Sequence, residues 1–324
     1  MSKMSTDLTR HVLNGATMDT RWSAQFYAAQ SLDPAPIRAA LQASVAEVDA
    51  QMSTWSRDSD LMRLNAAPVD EWQAVPAQLF EVLRLGLEIG RSSEGAFDIG
   101  MGDAVTAWGF GPDAASPERI RTAMTAPRAR GEARLVLDAG KGRVRKTAPI
   151  ALDLSGIAKG YGVDRLAETL CGFGVVSGLV GIDGEMRALG SKPDHSPWTL
   201  AVEAPDRARR TPHSILTLEN AAVATSGDYR HWVEVQGRCL SHTMDPRRGA
   251  PLTTSPASVT VVARTCAEAD AWATALMVLG PDRGAALARQ RGFDALFLLR
   301  DEAGGVQSVE VGRLFSDRTE AIAP

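Results

Sequence analysis

The sequence predicts an α+β fold made mainly of antiparallel sheet with helices packed on it. Three observations carry that expectation. Segments of strand and helix periodicity alternate irregularly and do not repeat as strand–helix units. Several strand-like runs are separated by short turn signals and read as hairpins. No internal repeat or low-complexity tract is present. A doubly wound parallel sheet would need regular crossover helices. At 324 residues, 44% hydrophobic and 23% charged, the chain can build one large core. We expect one domain, 1–324, of two intimately packed α+β halves, with 1–14 and 317–324 as loose termini.

Residues 17–26 alternate, with Trp22, Ala24 and Phe26 on one face, and predict a first strand. Residues 39–52 predict a helix through Leu41, Val45, Val48 and Met52. The polar stretch 53–57 follows and carries one exposed aromatic, Trp55. Residues 76–91 predict an amphipathic helix with Leu79, Val82, Leu83, Leu87 and Ile89 on its core side, ending near Gly90. Two glycine–aromatic segments, 93–100 and 107–112, lie too close together for a plain linker. Residues 114–130 are a charged, alanine-rich helix or loop. Residues 135–144 and 149–153 read as a strand pair around Gly140-Lys141-Gly142. Further strands are expected at 185–189, 199–203, 214–218 and 221–225. A hairpin at 232–235 and 239–243 exits into Met244-Asp245-Pro246-Arg247-Arg248-Gly249, a strong turn signal. Residues 258–263 predict a strand, 265–279 and 284–291 helices, and 295–299 a last core strand.

The net charge of −4 provides no global field for nucleic acid or an anionic membrane. The local basic cluster at 207–210 reads as a surface loop. Cys171, Cys239 and Cys266 are isolated and odd in number, which suggests free thiols, not a disulfide framework or zinc site. No apolar run is long enough to span a bilayer and no signal-peptide pattern opens the chain, so a cytoplasmic location is expected.

Three constellations carry chemistry. Residues 150–152 read as the end of a buried strand, 153–156 as a turn, and Val163, Leu166, Ala167 and Leu170 as the apolar face of a following helix. Strand, glycine loop and helix N-terminus favour an anion. Lys159 adds a positive charge there, and Gly156, Gly160 and Gly162 allow close approach. An ordinary strand–turn–helix with a solvated lysine fits the same residues. The second constellation is the helix from Thr265, whose start is fixed by the capping box Thr265-Cys266-Ala267-Glu268. Its residues 271–279 are apolar almost all round, so it is buried. Yet Asp270 and Thr274 stand at i and i+4 on one face. An unpaired buried carboxylate costs several kcal/mol, so Asp270 requires either a hard cation such as magnesium or a salt bridge to Lys159 or an arginine. The third is His242, one of five histidines, between an apolar strand and a tight turn: a general base or a structural residue holding that turn.

Taken together, several segments resemble the FAD:protein FMN transferase (ApbE-type) family. They are Met18-Asp19-Thr20, Met52-Ser53-Thr54-Trp55 with 59–65, Gly95-Ala96-Phe97-Asp98, Trp108-Gly109-Phe110-Gly111, 153–161, Gly181-Ile182-Asp183-Gly184, 224–229, 241–249, and Ala269-Asp270 with Thr274. Their order and spacing make the match specific from about Met18 to Gly280. The resemblance implies a T-fold-like α+β domain and a magnesium-dependent flavinylation. FAD is the substrate, FMN is joined by a phosphoester to a threonine or serine of a target protein, and AMP leaves. By resemblance, Asp270 and Thr274 ligate magnesium with a backbone oxygen of Gly156 or Ala158. Met18, Trp55, Ala96, Phe97, Asp98, Asp153 and Lys159 line the FAD site, with Ser226, Gly227 and Asp228 shaping the same pocket. Thr243 or Met244 touches the nucleotide, and His242 and Lys159 serve catalysis. Trp55 stands where the family often has tyrosine, and Thr243-Met244 replaces a more typical isoleucine pair. FAD hydrolysis to FMN and AMP, and non-catalytic FAD binding, are the alternatives.

Overall fold

The structure is a computed structural model that describes residues 8–206, 209–229, 232–235, 238–253, 256–301 and 305–316, without the side chains of 232–235, 238 and 239. His231, Arg207 and the expected loose segment 317–324 lie outside the described residues. Eight strands form one sheet: β1 (Leu8–Thr17), β2 (Thr20–Ala29), β3 (Gly178–Ile182), β4 (Glu185–Leu189), β5 (Ala222–Gly227), β6 (Ser258–Ala263), β7 (Asp294–Arg300) and β8 (Val306–Val311). Only these strands are numbered. Every neighbour in the sheet is the next of them in sequence, and every pair is antiparallel. The α+β expectation is met.

The first strand differs from expectation. The predicted strand 17–26 is the junction of a hairpin: β1 ends at Thr17, and Met18 and Asp19, both at positive φ, make a two-residue turn into β2. Residues 8–14 are therefore not a loose terminus but part of β1. Their signal is weak because β1 is a sheet edge, where Leu13 is the one fully buried side chain. Trp22, Ala24 and Phe26 of β2 are fully buried, as their alternation requires.

Long excursions hang between these antiparallel strands. Between β2 and β3 come α1 (Ala35–Met52), α2 (Asp60–Ala66), α3 (Ala77–Ser92), α4 (Gly102–Ala107), α5 (Pro117–Thr125) and α6 (Ala158–Gly172), with a small sheet of Trp72–Ala74, Leu135–Asp138 and Arg143–Lys146. Between β4 and β5 lies the hairpin Trp198–Glu203 with Pro212–Leu218. Helix α7 (Cys266–Arg291) joins β6 to β7, and α8 (Arg313–Ser316) follows β8. The sheet is covered on both faces. Val180 and Ile182 of β3 pack with Ile37, Leu41 and Val45 of α1 and with Val163 and Leu166 of α6. Leu179, the residue before Val180, packs with Trp198, Leu216 and Leu218 of the outer hairpin. Two covered faces explain why β3 and β6 read as near-continuous apolar runs.

Residues 149–153 are not a strand. The hairpin closes within 135–146, and the buried run at Leu152 takes its partners elsewhere. Asn65 donates from Nδ2 to Leu152 O (2.9 Å) and accepts Leu152 N–H at Oδ1 (2.7 Å). Asp153 N–H donates to Ile99 O (2.8 Å). An asparagine side chain thus replaces a ladder, which periodicity does not reveal. Helix α7 contains the two predicted helices, separated at Gly280 (φ 76°, ψ 178°) just before Pro281. Among the described residues no helix is long and apolar enough to cross a membrane.

Candidate functional site

The site is organised by one face of α7, where Asp270, Thr274 and Met277 fall at i, i+4 and i+7. The start of that helix is fixed three times over. Thr265 and Glu268 make the reciprocal capping box, worth about 1 kcal/mol. Asp164 of α6 accepts Cys266 N–H (2.8 Å) at Oδ1 and Ala267 N–H (2.9 Å) at Oδ2, and Arg187 donates to Oδ1 (2.6 Å). Helices α6 and α7 then cross with backbones nearly touching at Gly160, where a Cβ would lie 2.4 Å from Cys266 O.

That crossing places Gly160 N–H on Asp270 Oδ2 (3.0 Å). Asp270 is 5% exposed. Among the described residues no donor takes its Oδ1. Burial first, and then the nearby Glu185 carboxylate, push its pKa up to about 7; Lys159 and the Gly160 N–H pull it back. Lys159 is not in a loop, as expected, but in the first turn of α6. A cation at a helix N-terminus is unfavourable, and its local compensation is ionic. Nζ donates to Glu185 Oε1 (2.8 Å) and lies 3.9 Å from Asp183 Oδ2. Burial lowers the lysine pKa, but Glu185, Asp270 and Asp183 outweigh it and hold the ammonium charged. The sequence assigns no site role to Glu185 or Asp183, although Asp183 lies in the matching segment 181–184. Two acids flanking a glycine between apolar strands were the available signal.

One turn along α7, Thr274 Oγ1 is 3.0 Å from Ser226 Oγ of β5. A Cβ placed on Gly156 would come within 3.2 Å of both Thr274 Oγ1 and the Phe97 ring. Phe97 and Ala96 are buried here, positioned by Ser93 Oγ accepting Phe97 N–H (3.1 Å). At the third position, Thr243 Oγ1 donates to Met277 Sδ (3.8 Å), so the bend carrying the half-buried His242 leans on α7. Met244 packs among Met101, Ala104 and Trp108. Trp108 Nε1 donates to Gly249 O (2.9 Å), clamping the turn that follows. Met18 reaches the group from the β1–β2 turn, its methyl 3.3 Å from where a Gly162 Cβ would stand.

Other predicted residues are differently placed. Asp98 accepts N–H bonds from Gly100 (2.7 Å) and Gly131 (3.1 Å), and burial holds its pKa above the usual carboxylate range. Asp153 accepts from Ser155 N–H (2.9 Å) and Oγ (3.2 Å), and burial likewise raises its pKa. Asp228, beside Gly227, holds Arg300 in a two-pronged pair, 2.7 Å at each oxygen. Trp55 is 66% exposed on the loop after α1.

Two further carboxylates, Glu185 and Asp164, act on Asp270 through space, and Lys159 opposes them. No three His, Cys, Asp or Glu side chains gather as a metal cage among the described residues. A cation here would therefore take Asp270 with hydroxyl and backbone oxygens, a donor set suited to a hard ion.

The sequence model described as the ApbE family matches residues 18–297. The chain is 34% identical over 304 residues to a FAD:protein FMN transferase of Klebsiella pneumoniae (strain 342), covering 91% of this chain and 86% of that protein. It is 35% identical over 296 residues to one from Vibrio cholerae, covering 90% and 88%. Its structure is similar to the flavin transferase ApbE from Vibrio cholerae, with a TM-score of 0.82, 32% identity, and 94% and 97% of the two chains covered. It is equally similar to the apo form of the Pseudomonas stutzeri flavinyl transferase ApbE, with a TM-score of 0.82, 34% identity and 94% and 95% coverage.

Proposed function

The chain belongs to the ApbE family, and from that membership we propose that it transfers FMN from FAD to a threonine or serine hydroxyl of an acceptor protein, releasing AMP, with magnesium as the cation. The observation that carries the metal assignment is Asp270: buried, with one backbone donor, one open oxygen and two further carboxylates, Glu185 and Asp164, acting on it. Asp270 and Thr274 would hold the ion together with a backbone carbonyl of Gly156 or Ala158. When bound, magnesium neutralises charge on the diphosphate, which is what phosphoryl transfer chiefly requires.

The chain's own residues do the rest. Lys159, kept charged by its acidic neighbours, would meet a diphosphate oxygen. Met18, Trp55, Ala96, Phe97, Thr243 and Met244 would hold the flavin nucleotide and orient its phosphorus. Asp98, Asp153, Ser226, Gly227 and Asp228 would support that pocket, the three aspartates by fixing loops through the bonds described above. His242 would take the proton of the acceptor hydroxyl as its oxygen bonds to the FMN phosphorus. The bond from that phosphorus to the AMP oxygen breaks, and AMP leaves with the electron pair. The continuous sheet supports reading the chain as one catalytic domain of two packed halves. The unpaired thiols of Cys171 and Cys266 support a reducing compartment, the cytoplasm.

The test incubates the protein with FAD, magnesium and a candidate acceptor, then takes intact masses and assays AMP. One FMN added per acceptor, matched by AMP and lost with a chelator, is the expected result. AMP without adduct would point to hydrolysis, and intact FAD to a binding protein.

A further inference from the structure

Glu185 is a buried acid with a half-used carboxylate. It is 3% exposed, on the first residue of β4. Its Oε1 accepts from Lys159 Nζ at 2.8 Å, while Oε2 is buried without a hydrogen-bond partner. Such an atom costs free energy, and a buried ion pair is weak grounds for stability. Its geometry suggests another use. Lys159 sits one residue before Gly160, whose N–H holds Asp270, so two buried acids lie around the same ammonium. Glu185 has the lysine: among the described residues its ion-pair partners are Glu185 and Asp183, and Asp270 is not one of them.

We propose that Glu185 is a positioning residue that holds the Lys159 ammonium away from Asp270 and so keeps the Asp270 carboxylate open for a divalent cation. The proposal rests on the reading of Asp270 as a cation ligand. Without Glu185 the flexible lysine stem turns to the nearest remaining buried acid, and the resulting Lys159–Asp270 pair closes the cation site. This is a competition between two salt-bridge geometries, and Glu185 decides it in favour of the open state. The Glu185 charge also reaches Asp270 through space, but the larger part of its effect on the cation runs through Lys159.

That last point makes the proposal testable by a double-mutant cycle on binding alone. Manganese binding to the full-length protein is measured from free Mn2+ by electron paramagnetic resonance, with no FAD or acceptor present. Four proteins form the cycle: wild type, Glu185→Gln, Lys159→Met and the double variant. We expect Glu185→Gln to weaken Mn2+ binding by roughly tenfold or more, the cost of a competing buried ion pair. In the Lys159→Met background the same change should alter affinity by less than about threefold. An equal loss in both backgrounds would mean that Glu185 acts on the cation itself, and would overturn the proposal. So would no loss in either. Glu185→Asp keeps a carboxylate for the lysine and should bind Mn2+ within about threefold of wild type; a loss of roughly tenfold or more relative to wild type contradicts the proposal even if the glutamine variant fails to fold. Asp270→Ala is the separate arm: Mn2+ affinity unchanged in that variant would overturn the cation reading itself, and this proposal with it, whatever the cycle gives.

Discussion

Two buried aspartates lie on either side of the same helix crossing, and they are built for opposite ends. At the start of α7, Asp164 spends both oxygens: two backbone N–H groups and the Arg187 guanidinium meet it. One turn further on, Asp270 meets one N–H and keeps an oxygen open. Burial holds both above the usual carboxylate range, yet only at Asp164 do a full guanidinium and two helix N–H groups oppose it. On the proposed reading, the difference separates an acid that holds the fold from an acid kept ready for a cation. A closed polar network rigidifies; an open carboxylate in the same low-polarity surroundings is costly until a cation arrives.

The comparison breaks most sharply by mutation. Asp270→Ala should cut FMN transfer by roughly a thousandfold or more while leaving the melting temperature of the metal-free protein unchanged or higher, since an underpaired buried acid is removed. Asp164→Ala should do the reverse. It strands Arg187 and two N–H groups, and should destabilise by about 3–5 kcal/mol, seen in denaturant unfolding. Next in size, Lys159→Met should lower kcat of transfer roughly a hundredfold, and it should also lower stability, because it leaves the buried Glu185 without its ion-pair partner. Smaller still, Gly156→Ala sets a methyl within 3.2 Å of Thr274 Oγ1 and Phe97. Transfer should fall about tenfold while stability moves by about 1 kcal/mol or less.

The gentlest probe is pH. Without metal, the folded state keeps a proton on Asp270 up to about 7 that the unfolded chain has already lost. The Asp270 contribution to stability therefore falls as pH rises from the ordinary carboxylate range to about 7. Cation binding runs the other way, because the ion displaces that proton. Its affinity should rise about tenfold per pH unit below about 7 and level off above, as titration calorimetry in two buffers would read.

Much of this was legible in the residues. The capping box at Thr265, the apolar girdle of α7 and the lone pair Asp270/Thr274 stand within one continuous stretch, 265–279, so local rules expose them. What stayed hidden depends on distant partners. Asn65 replaces a strand beside Leu152, 87 residues away. Asp164 caps a helix more than a hundred residues later, and Glu185 takes Lys159 from across the α6–β4 packing. Edge strand β1 was missed because one face of it has nothing to bury. Asp98 and Asp228, expected at the flavin pocket, spend their carboxylates on Gly100, Gly131 and Arg300, which only the folded arrangement reveals.

The most direct measurement of the central claim is the thermal shift produced by magnesium at pH 7.5 in three proteins: wild type, Asp270→Asn and Asp164→Asn. An ion at a hundredfold excess over Kd stabilises the folded state by about 2.7 kcal/mol. The account predicts a clear shift in the wild type, a shift retained by whatever Asp164→Asn protein folds, and none for Asp270→Asn, which without metal melts no lower than the wild type. A magnesium shift that survives in Asp270→Asn, or a metal-free Asp270→Asn as crippled as Asp164→Asn, would contradict it.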